Sequence, residues 1–237
     1  SMLADVMSGL EDLNQLSELE YYLDESKCYE LEMKLNEMMR LLDQENISCG
    51  NLLNKLIDIE LSEWNALFVY VISYMSAKER NGQQMAAMIH SHLDRIKAFV
   101  KSAPCSSQSN VELPEFPKIW EKKILVVDDE DIILELHKEL LDGVAEVVCA
   151  HSASEAMAAL KEHYFDLIIA DYHMPGIDGM MIFDQLLERE EDIQNRFILS
   201  SSGAPHSVIK RCKVEGITYL ERPVALDRVL QTVKNKL

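Results

Sequence analysis

Acidic residues follow two short apolar runs in the second half of the chain. Asp128, Asp129 and Glu130 come directly after ILVV, and Asp171 comes directly after LIIA. Carboxylates that crowd together repel one another and raise each other's pKa unless a cation neutralises them. Hard oxygen ligands without histidine or cysteine favour Mg²⁺, which retains water ligands and binds few carboxylates. These residues therefore predict a divalent-cation site if the fold brings the two runs together.

Hydroxyl and guanidinium groups follow two further apolar runs. Ser200, Ser201 and Ser202 stand after one of them, and Arg222 stands before Pro223 after the other. A carboxylate beside a divalent cation, with a hydroxyl and a guanidinium opposite, can accept a phosphoryl group. The cations hold the phosphoryl oxygens while the carboxylate attacks phosphorus. The chemistry predicted from these residue types is phosphoryl transfer to an aspartate.

The elements that must position these side chains alternate between strand and helix. The strand patterns are Ile124–Val127, Glu146–Ala150, Leu167–Ala170, Phe197–Ser200 and Thr218–Leu220. The helical patterns are Ile132–Leu141, Ser154–Glu162, Met180–Arg189, Ser207–Glu215 and Leu226–Lys236. Five strands alternating with five helices predict a parallel, doubly wound sheet. Such a sheet binds ligands beyond the carboxyl ends of its strands, where the acids, serines and arginine fall.

Four segments in this order, ILVVDDE, DYHMPGIDG, the serine cluster and YLERP, resemble the receiver domain of two-component response regulators. The resemblance covers residues 122–237 and implies a flavodoxin-like sheet of strand order 2-1-3-4-5. It implies Asp171 as the phosphoacceptor, with a histidine kinase or a histidine phosphotransfer protein as the donor. It also implies a Mg²⁺ site made by Asp128, Asp129 and Asp171 with the backbone carbonyl of His173.

The resemblance implies three more roles. A hydroxyl at the end of the fourth strand bonds the phosphoryl group; spacing from Asp171 favours Ser201, and spacing back from Arg222 favours Ser200. Tyr219 stands where the family has an aromatic residue that swings inward, although a place in the apolar core also explains it. Arg222 stands where the family has lysine, and it is longer and planar. Two interpretations follow: a phosphorylation-dependent switch, or an inert receiver on a constitutive helical scaffold.

The first half of the chain has a helical pattern. Apolar residues spaced by three and four predict an all-α helical bundle or hairpin over residues 1–101. Ser8 and Glu11 form a capping box for a first helix. Residues 102–121, rich in proline and serine, predict a linker to the receiver-like domain at residues 122–237.

The long apolar stripe in this half has two interpretations. One continuous helix is predicted from Asn51 to about Arg80, with Asn81 and Gly82 as its stop. The stripe either closes the domain's own core or mediates self-association, and the sequence favours neither. The apolar side chains that suit self-association are Met38, Met39, Trp64, Tyr70 and Tyr74.

Histidines in IHSHLDRIK, residues 89–97, suggest a third interpretation. Phosphotransfer domains are helical bundles with an exposed histidine, so the chain could be a phosphorelay intermediate. His92 falls on the apolar stripe of its helix and is predicted to be a core or seam residue. His90 points off the stripe and is the better phosphotransfer residue. Nothing like the HxLKG of that family follows, so a solvated histidine is favoured.

Composition and net charge argue against several classes of function. The net charge is −18 and both halves are acidic, which argues against nucleic acid as a partner. No apolar run approaches the ~18–20 residues of a membrane helix, and no secretory signal is visible. Five scattered cysteines without a CxxC pair fit a reducing cytoplasm. No ATP-binding glycine loop or second catalytic motif is visible, so we predict a regulator that associates as a homodimer or with a partner protein through its N-terminal helices, not an enzyme.

Overall fold

A computed structural model describes residues 25–43, 48–60, 76, 79–103, 118, 120–190 and 192–237. The chain divides into two compact units. Two helices, α1 (Glu25–Asp43) and α2 (Cys49–Glu60), belong to the first unit. A third helix, α3 (Arg80–Ser102), belongs to the second unit through Ala98. In the described ranges, no helix is both long enough and apolar enough to cross a membrane.

The rest of the second unit alternates strands and helices. The strands are β1 (Lys123–Val127), β2 (Glu146–Ala150), β3 (Leu167–Asp171), β4 (Phe197–Ser201) and β5 (Thr218–Glu221). The helices are α4 (Asp131–Leu140), α5 (Ala153–Glu162), α6 (Gly179–Leu187), α7 (His206–Glu215) and α8 (Leu226–Lys236), and a short 3₁₀ helix, Ile193–Arg196, precedes β4. The strands pair in parallel in the order β2-β1-β3-β4-β5. The predicted flavodoxin-like, doubly wound sheet is confirmed.

The sheet separates two apolar clusters, and successive strand residues enter them alternately. One cluster contains Leu125, Ile168 and Leu199 and lies beneath α5, α6 and α7. The other contains Ile169 and Ile198 and lies beneath α4 and α8. Because both faces are covered, the strands read as continuous apolar runs in the sequence. That continuity made their positions easy to predict.

Helix α3 packs on this unit through small side chains. Ala86 and Ala87 are buried in one cluster with Trp120 and Tyr164. The Trp120 indole N–H donates to Oδ2 of Asp166 at 2.8 Å, which satisfies the polar edge of this buried ring. Trp120 therefore packs with the sheet unit although it lies in the segment predicted as a linker.

The predicted helix stop at Asn81 and Gly82 is wrong. Both residues lie in the first turn of α3, which begins at Arg80. Backbone N–H groups in a first turn have no acceptor within the helix, so Asn and Gly cost little there, and Gly82 is buried. The break between helices thus precedes Arg80.

Part of the N-terminal prediction falls outside the described residues. The helix predicted from Asn51 is described as far as Glu60, the end of α2. The capping box of Ser8 and Glu11 lies outside the described residues. The same holds for three of the apolar side chains proposed for self-association, Trp64, Tyr70 and Tyr74.

Candidate phosphoacceptor site

The carboxyl ends of four strands carry the predicted side chains on one face of the sheet. Asp128, Asp171, Ser200 and Arg222 each stand two residues after a side chain of the cluster beneath α4 and α8, namely Val126, Ile169, Ile198 and Leu220. Because strand side chains alternate, all four belong to that face. The register places Ser200 beside Asp171 across the β3–β4 pair.

A single guanidinium joins the two buried acids. Nη1 of Arg222 donates to Oδ2 of Asp128 at 2.8 Å, and Nη2 of Arg222 pairs with Oδ1 of Asp171. The Arg222 side chain is 16% exposed, and those of Asp128 and Asp171 are 4% and 3% exposed. Oδ1 of Asp128 accepts a further hydrogen bond from the backbone N–H of Glu130 at 3.0 Å. The predicted neighbours therefore lie in direct contact.

Burial controls the protonation of the predicted phosphoacceptor. Removal from water raises the pKa of Asp171 above its ordinary value. The Arg222 guanidinium acts in the opposite direction but does not cancel the effect of burial, and the charge of Asp128 adds to the increase. Ionised Asp171 is thus poorly compensated in this arrangement. A further cation beside it would be stabilised.

The other predicted metal ligands lie at the rim of the site. Asp129 is exposed after β1, and His173 is exposed after β3. Nε2 of His173 lies 3.3 Å from the carbonyl oxygen of Gly203, so its ring links the loops that follow β3 and β4. Among the described residues, no group of three or more His, Cys, Asp or Glu side chains is arranged to hold a metal ion.

The donor set nevertheless fits Mg²⁺ chemically. Two buried carboxylates, a third at the rim and a backbone carbonyl are hard oxygen ligands of the type this ion takes. Burial raises the pKa of Asp171 despite the contact with Arg222, so a further cation beside this carboxylate would favour its ionised form. Asp128, Asp129, Asp171 and the carbonyl of His173 would hold the ion.

The two candidate serines point to different faces. Ser200 lies on the face of Arg222 and lines a cavity beside it, whereas Ser201 alternates to the face of Leu199 and Tyr219. Both serines are buried, and Oγ of Ser201 accepts from the backbone N–H of Gly203 at 3.1 Å. Tyr219 packs against the cluster beneath α5, α6 and α7. Its hydroxyl is buried, and interactions with the backbone of Ala204 and with Ser201 lower its pKa against the larger effect of burial.

Two features of the site went unrecognised in the sequence. A Cβ atom on Gly179 would collide with the backbone oxygen of Asp171, so α6 begins directly against the end of β3. Asp178 caps that helix by accepting from the N–H of Met181 at 2.9 Å. An Asp-Gly pair at a helix start was the available signal for this junction. A cavity of about 400 Å³ beside Arg222 could not be predicted from the sequence, because it arises from packing between α4 and α8.

The predicted environments of the two histidines in α3 are wrong. His92 is exposed, whereas the His90 side chain is 21% exposed and lies 3.7 Å from Asp94. The most deeply buried residues of α3 in this contact are Gly82, Ala86 and Ala87, and Met85 and Ile89 of the predicted stripe pack beside them only partly buried. Small residues allow closer helix packing but contribute weakly to a hydrophobic pattern.

Comparisons with known proteins agree with this geometry. A family model described as the response regulator receiver domain matches residues 124–234. The polar-differentiation response regulator DivK of Brucella ovis is 25% identical over 118 residues, which cover 49% of this chain and 96% of DivK. The transcriptional regulatory protein MalR of Bacillus subtilis is 32% identical over 109 residues, covering 44% of this chain and 46% of MalR.

One similar solved structure can be described in the same terms. A CheY-like receiver domain protein from Methanospirillum hungatei JF-1 has 25% identity and a TM-score of 0.45, and the match covers 49% of this chain and 93% of that one. The matching family model, the strand order and the buried acids at the carboxyl ends of β1 and β3 agree with one another. Residues 124–234 are a receiver domain of the response-regulator family.

Proposed function

We propose that this protein is a two-component response regulator that is phosphorylated on Asp171 by a histidine kinase or a histidine phosphotransfer protein. The observation that carries the proposal is a buried carboxylate at the end of β3, in contact with a guanidinium and beside a second acid. The receiver family supports such a donor. Scattered cysteines without a disulfide pattern favour a cytoplasmic location.

The transfer uses this chain's side chains in defined roles. An oxygen of Asp171 attacks phosphorus, the bond from phosphorus to the donor's imidazole nitrogen breaks, and the phosphoryl group becomes an acyl phosphate. Arg222 offers its positive charge to the phosphoryl oxygens. Ser200, which lies on the face of Asp171 and Arg222, donates its hydroxyl to one of them. Ser201, which the spacing from Asp171 favours, lies on the other face of the sheet. Mg²⁺, when bound by these acids, would supply further neutralisation of the developing charge.

The phosphoryl group acts by favouring one of two arrangements of the receiver domain. It replaces one carboxylate charge by about −1.5 to −2, by analogy with other phosphorylated side chains. Tyr219 is the aromatic residue proposed to move with the serine hydroxyl, and burial raises its pKa, so its hydroxyl stays protonated. We propose that no separate catalytic domain is involved.

The output is proposed to be protein–protein association through the N-terminal helices. We retain a helical domain at residues 1–101, a linker at 102–121 and the receiver domain at 122–237 as the proposed division. Helix α1 supports association because it exposes apolar side chains of large size, among them Leu35, Met39 and Leu42.

Labelling by a small phosphodonor tests the proposal. The wild-type chain, incubated with acetyl phosphate and Mg²⁺, should gain the mass of one phosphoryl group in an intact mass spectrum. Asp171→Asn should gain none, because its amide cannot act as the nucleophile. Asp142→Asn makes the same change at an exposed turn and should be labelled like wild type.

Two other experimental results would indicate a different function. A wild-type chain that takes no label and does not respond to beryllofluoride would indicate an inert receiver on a helical scaffold. The bridging of both acids by Arg222 favours this second candidate. Phosphate exchange that is lost in His90→Gln would indicate a phosphorelay intermediate.

A further inference from the structure

Arg222 occupies the position of a counter-cation between the two buried acids. Its two terminal nitrogens bind different carboxylates, Asp128 through Nη1 and Asp171 through Nη2. All three side chains are largely removed from water. Charge-assisted hydrogen bonds of this kind are among the stronger ones in proteins, and a guanidinium gives them a fixed geometry.

Three carboxylate oxygens of Asp128 and Asp171 are already engaged in hydrogen bonds. Oδ2 of Asp128 is bound to Arg222, and its Oδ1 is bound to the N–H of Glu130. Oδ1 of Asp171 is also paired with Arg222. A divalent ion placed between these acids therefore competes with the guanidinium for oxygens and meets its positive charge at close range.

We infer that Arg222 sets the metal affinity of this site: its guanidinium is an internal counter-ion that a divalent cation must displace from Asp128 and Asp171. The inference rests on the proposed function, because it concerns the cofactor of the same site. Its consequence is that the wild-type chain binds Mg²⁺ weakly compared with a variant that carries lysine at position 222.

Arginine and lysine differ in how strongly they hold the two carboxylates against a metal ion. The guanidinium is planar and weakly hydrated, and its two terminal nitrogens are already spaced for two acceptors. Lysine has one strongly hydrated nitrogen on a flexible stem. An ammonium can leave the acids for water at little cost, whereas Arg222 gives up two oriented contacts. Lysine therefore opposes the metal less, although both side chains carry the same charge.

The structure also shows open space beside the Arg222 side chain. The cavity of about 400 Å³ beside Arg222 is lined largely by apolar side chains of α4, α8 and β5, among them Ile133, Leu220 and Val229. Nε of Arg222 is buried and has no hydrogen-bond partner in the described ranges. The hydrogen bonds to the two acids are therefore the contacts that hold its head group, and the cavity gives its side chain room to move when they break.

Titration calorimetry with MgCl₂ alone tests the inference on the full chain. Arg222→Lys should bind Mg²⁺ with a Kd at least about tenfold lower than wild type, which is about 1.4 kcal/mol. Arg222→Gln removes the positive charge and should bind Mg²⁺ more tightly than wild type. It replaces Arg222→Lys in the comparison if the lysine variant is unstable. Arg228→Lys makes the same exchange at an exposed position of α8 and should match wild type.

Asp171→Asn in the Arg222→Lys background should weaken binding, which assigns the ion to this site. Equal Kd values for wild type and Arg222→Lys, or tighter binding by wild type, would overturn the inference. If wild type is then still labelled on Asp171 by the phosphodonor, the proposed function stands and only the role of Arg222 falls. If neither protein binds Mg²⁺ and neither is labelled, both fall.

Discussion

Three buried charged side chains dominate the receiver domain at the scale of single residues. Asp128 and Asp171 share one guanidinium, from Arg222, in a region that water barely reaches. A buried ion pair stabilises less than its short distances suggest, because both partners lose hydration. Breaking such a pair is costly, however, because it leaves a charge without compensation. This balance suits a site whose contacts are proposed to rearrange when Asp171 is phosphorylated.

His137 gives the same region a predicted dependence of stability on pH. The ring lies in α4 on the wall of the cavity beside Arg222, with Nδ1 2.8 Å from the carbonyl oxygen of Ile133. Burial lowers the pKa of His137 from its ordinary 6.5, while the contact with Ile133 and the charge of Asp128 act in the opposite direction. The folded chain then binds this proton less readily than the unfolded chain.

The free energy of unfolding should therefore fall as the pH drops below 6.5, until the lowered pKa is passed. Each unit by which the pKa is lowered accounts for about 1.4 kcal/mol. Urea unfolding across this range should show a smaller loss for His137→Leu than for wild type. His206→Leu, at an exposed position, should follow wild type. Parallel curves for wild type and His137→Leu would contradict the account.

At the scale of elements, the junction between β3 and α6 fixes the position of Asp171, the proposed phosphoacceptor. Helix α6 begins at Gly179, where a side chain would collide with the backbone oxygen of Asp171 at 2.4 Å and with Cδ1 of Leu199 at 2.9 Å. A backbone atom within a sheet cannot move aside as a flexible side chain can. The start of α6 and the end of β3 are therefore in close contact, and one cannot shift without the other.

Gly179→Ala should accordingly destabilise the domain by about 1–3 kcal/mol, the usual cost of overpacking. It should also slow labelling of Asp171, because the strand end must shift. Gly203→Ala is the matched control, since its Cβ would meet nothing within 4 Å. Urea unfolding and the labelling rate measure both effects. Equal stability of the two variants would show that the junction is looser than the structure indicates.

Patterns in the sequence predicted the strands to within one residue, because strands buried on both faces are continuous apolar runs. The same patterns located Asp128 and Asp171, since a run that ends in an acid marks a strand end. The spacing of apolar residues does not specify side-chain conformations. The contact of Arg222 with both Asp128 and Asp171 could therefore not be predicted. The docking of α3 through Ala86 and Ala87 was missed because alanine has a weak hydrophobic signal.

At the scale of the whole molecule, an acidic receiver domain is joined to helices with exposed apolar side chains. On α1, Leu35, Met39 and Leu42 are 40%, 60% and 42% exposed and are spaced by four and three, so they lie on one face. Exposed apolar stripes of this kind suit association between chains. The receiver domain is proposed to contribute the phosphorylation site, and the helices are proposed to contribute the contact.

Met39→Glu should therefore weaken self-association at least about tenfold, because the new charge must be desolvated in the interface. Light scattering with size-exclusion chromatography measures the change. Asn36→Glu places the same residue at an exposed polar position of α1 and should leave association unchanged. A wild-type chain that stays monomeric with and without beryllofluoride would rule out self-association and leave a partner protein as the contact.

The most direct test of the whole account is to identify the residue that carries the phosphoryl group. After incubation with a small phosphodonor and Mg²⁺, reduction with borohydride converts an acyl phosphate into a stable alcohol that peptide mass spectrometry can locate. We predict modification of Asp171 alone. Modification of Asp128, Asp129 or a histidine of α3 instead, or no modification of the wild-type chain, would contradict the central claim.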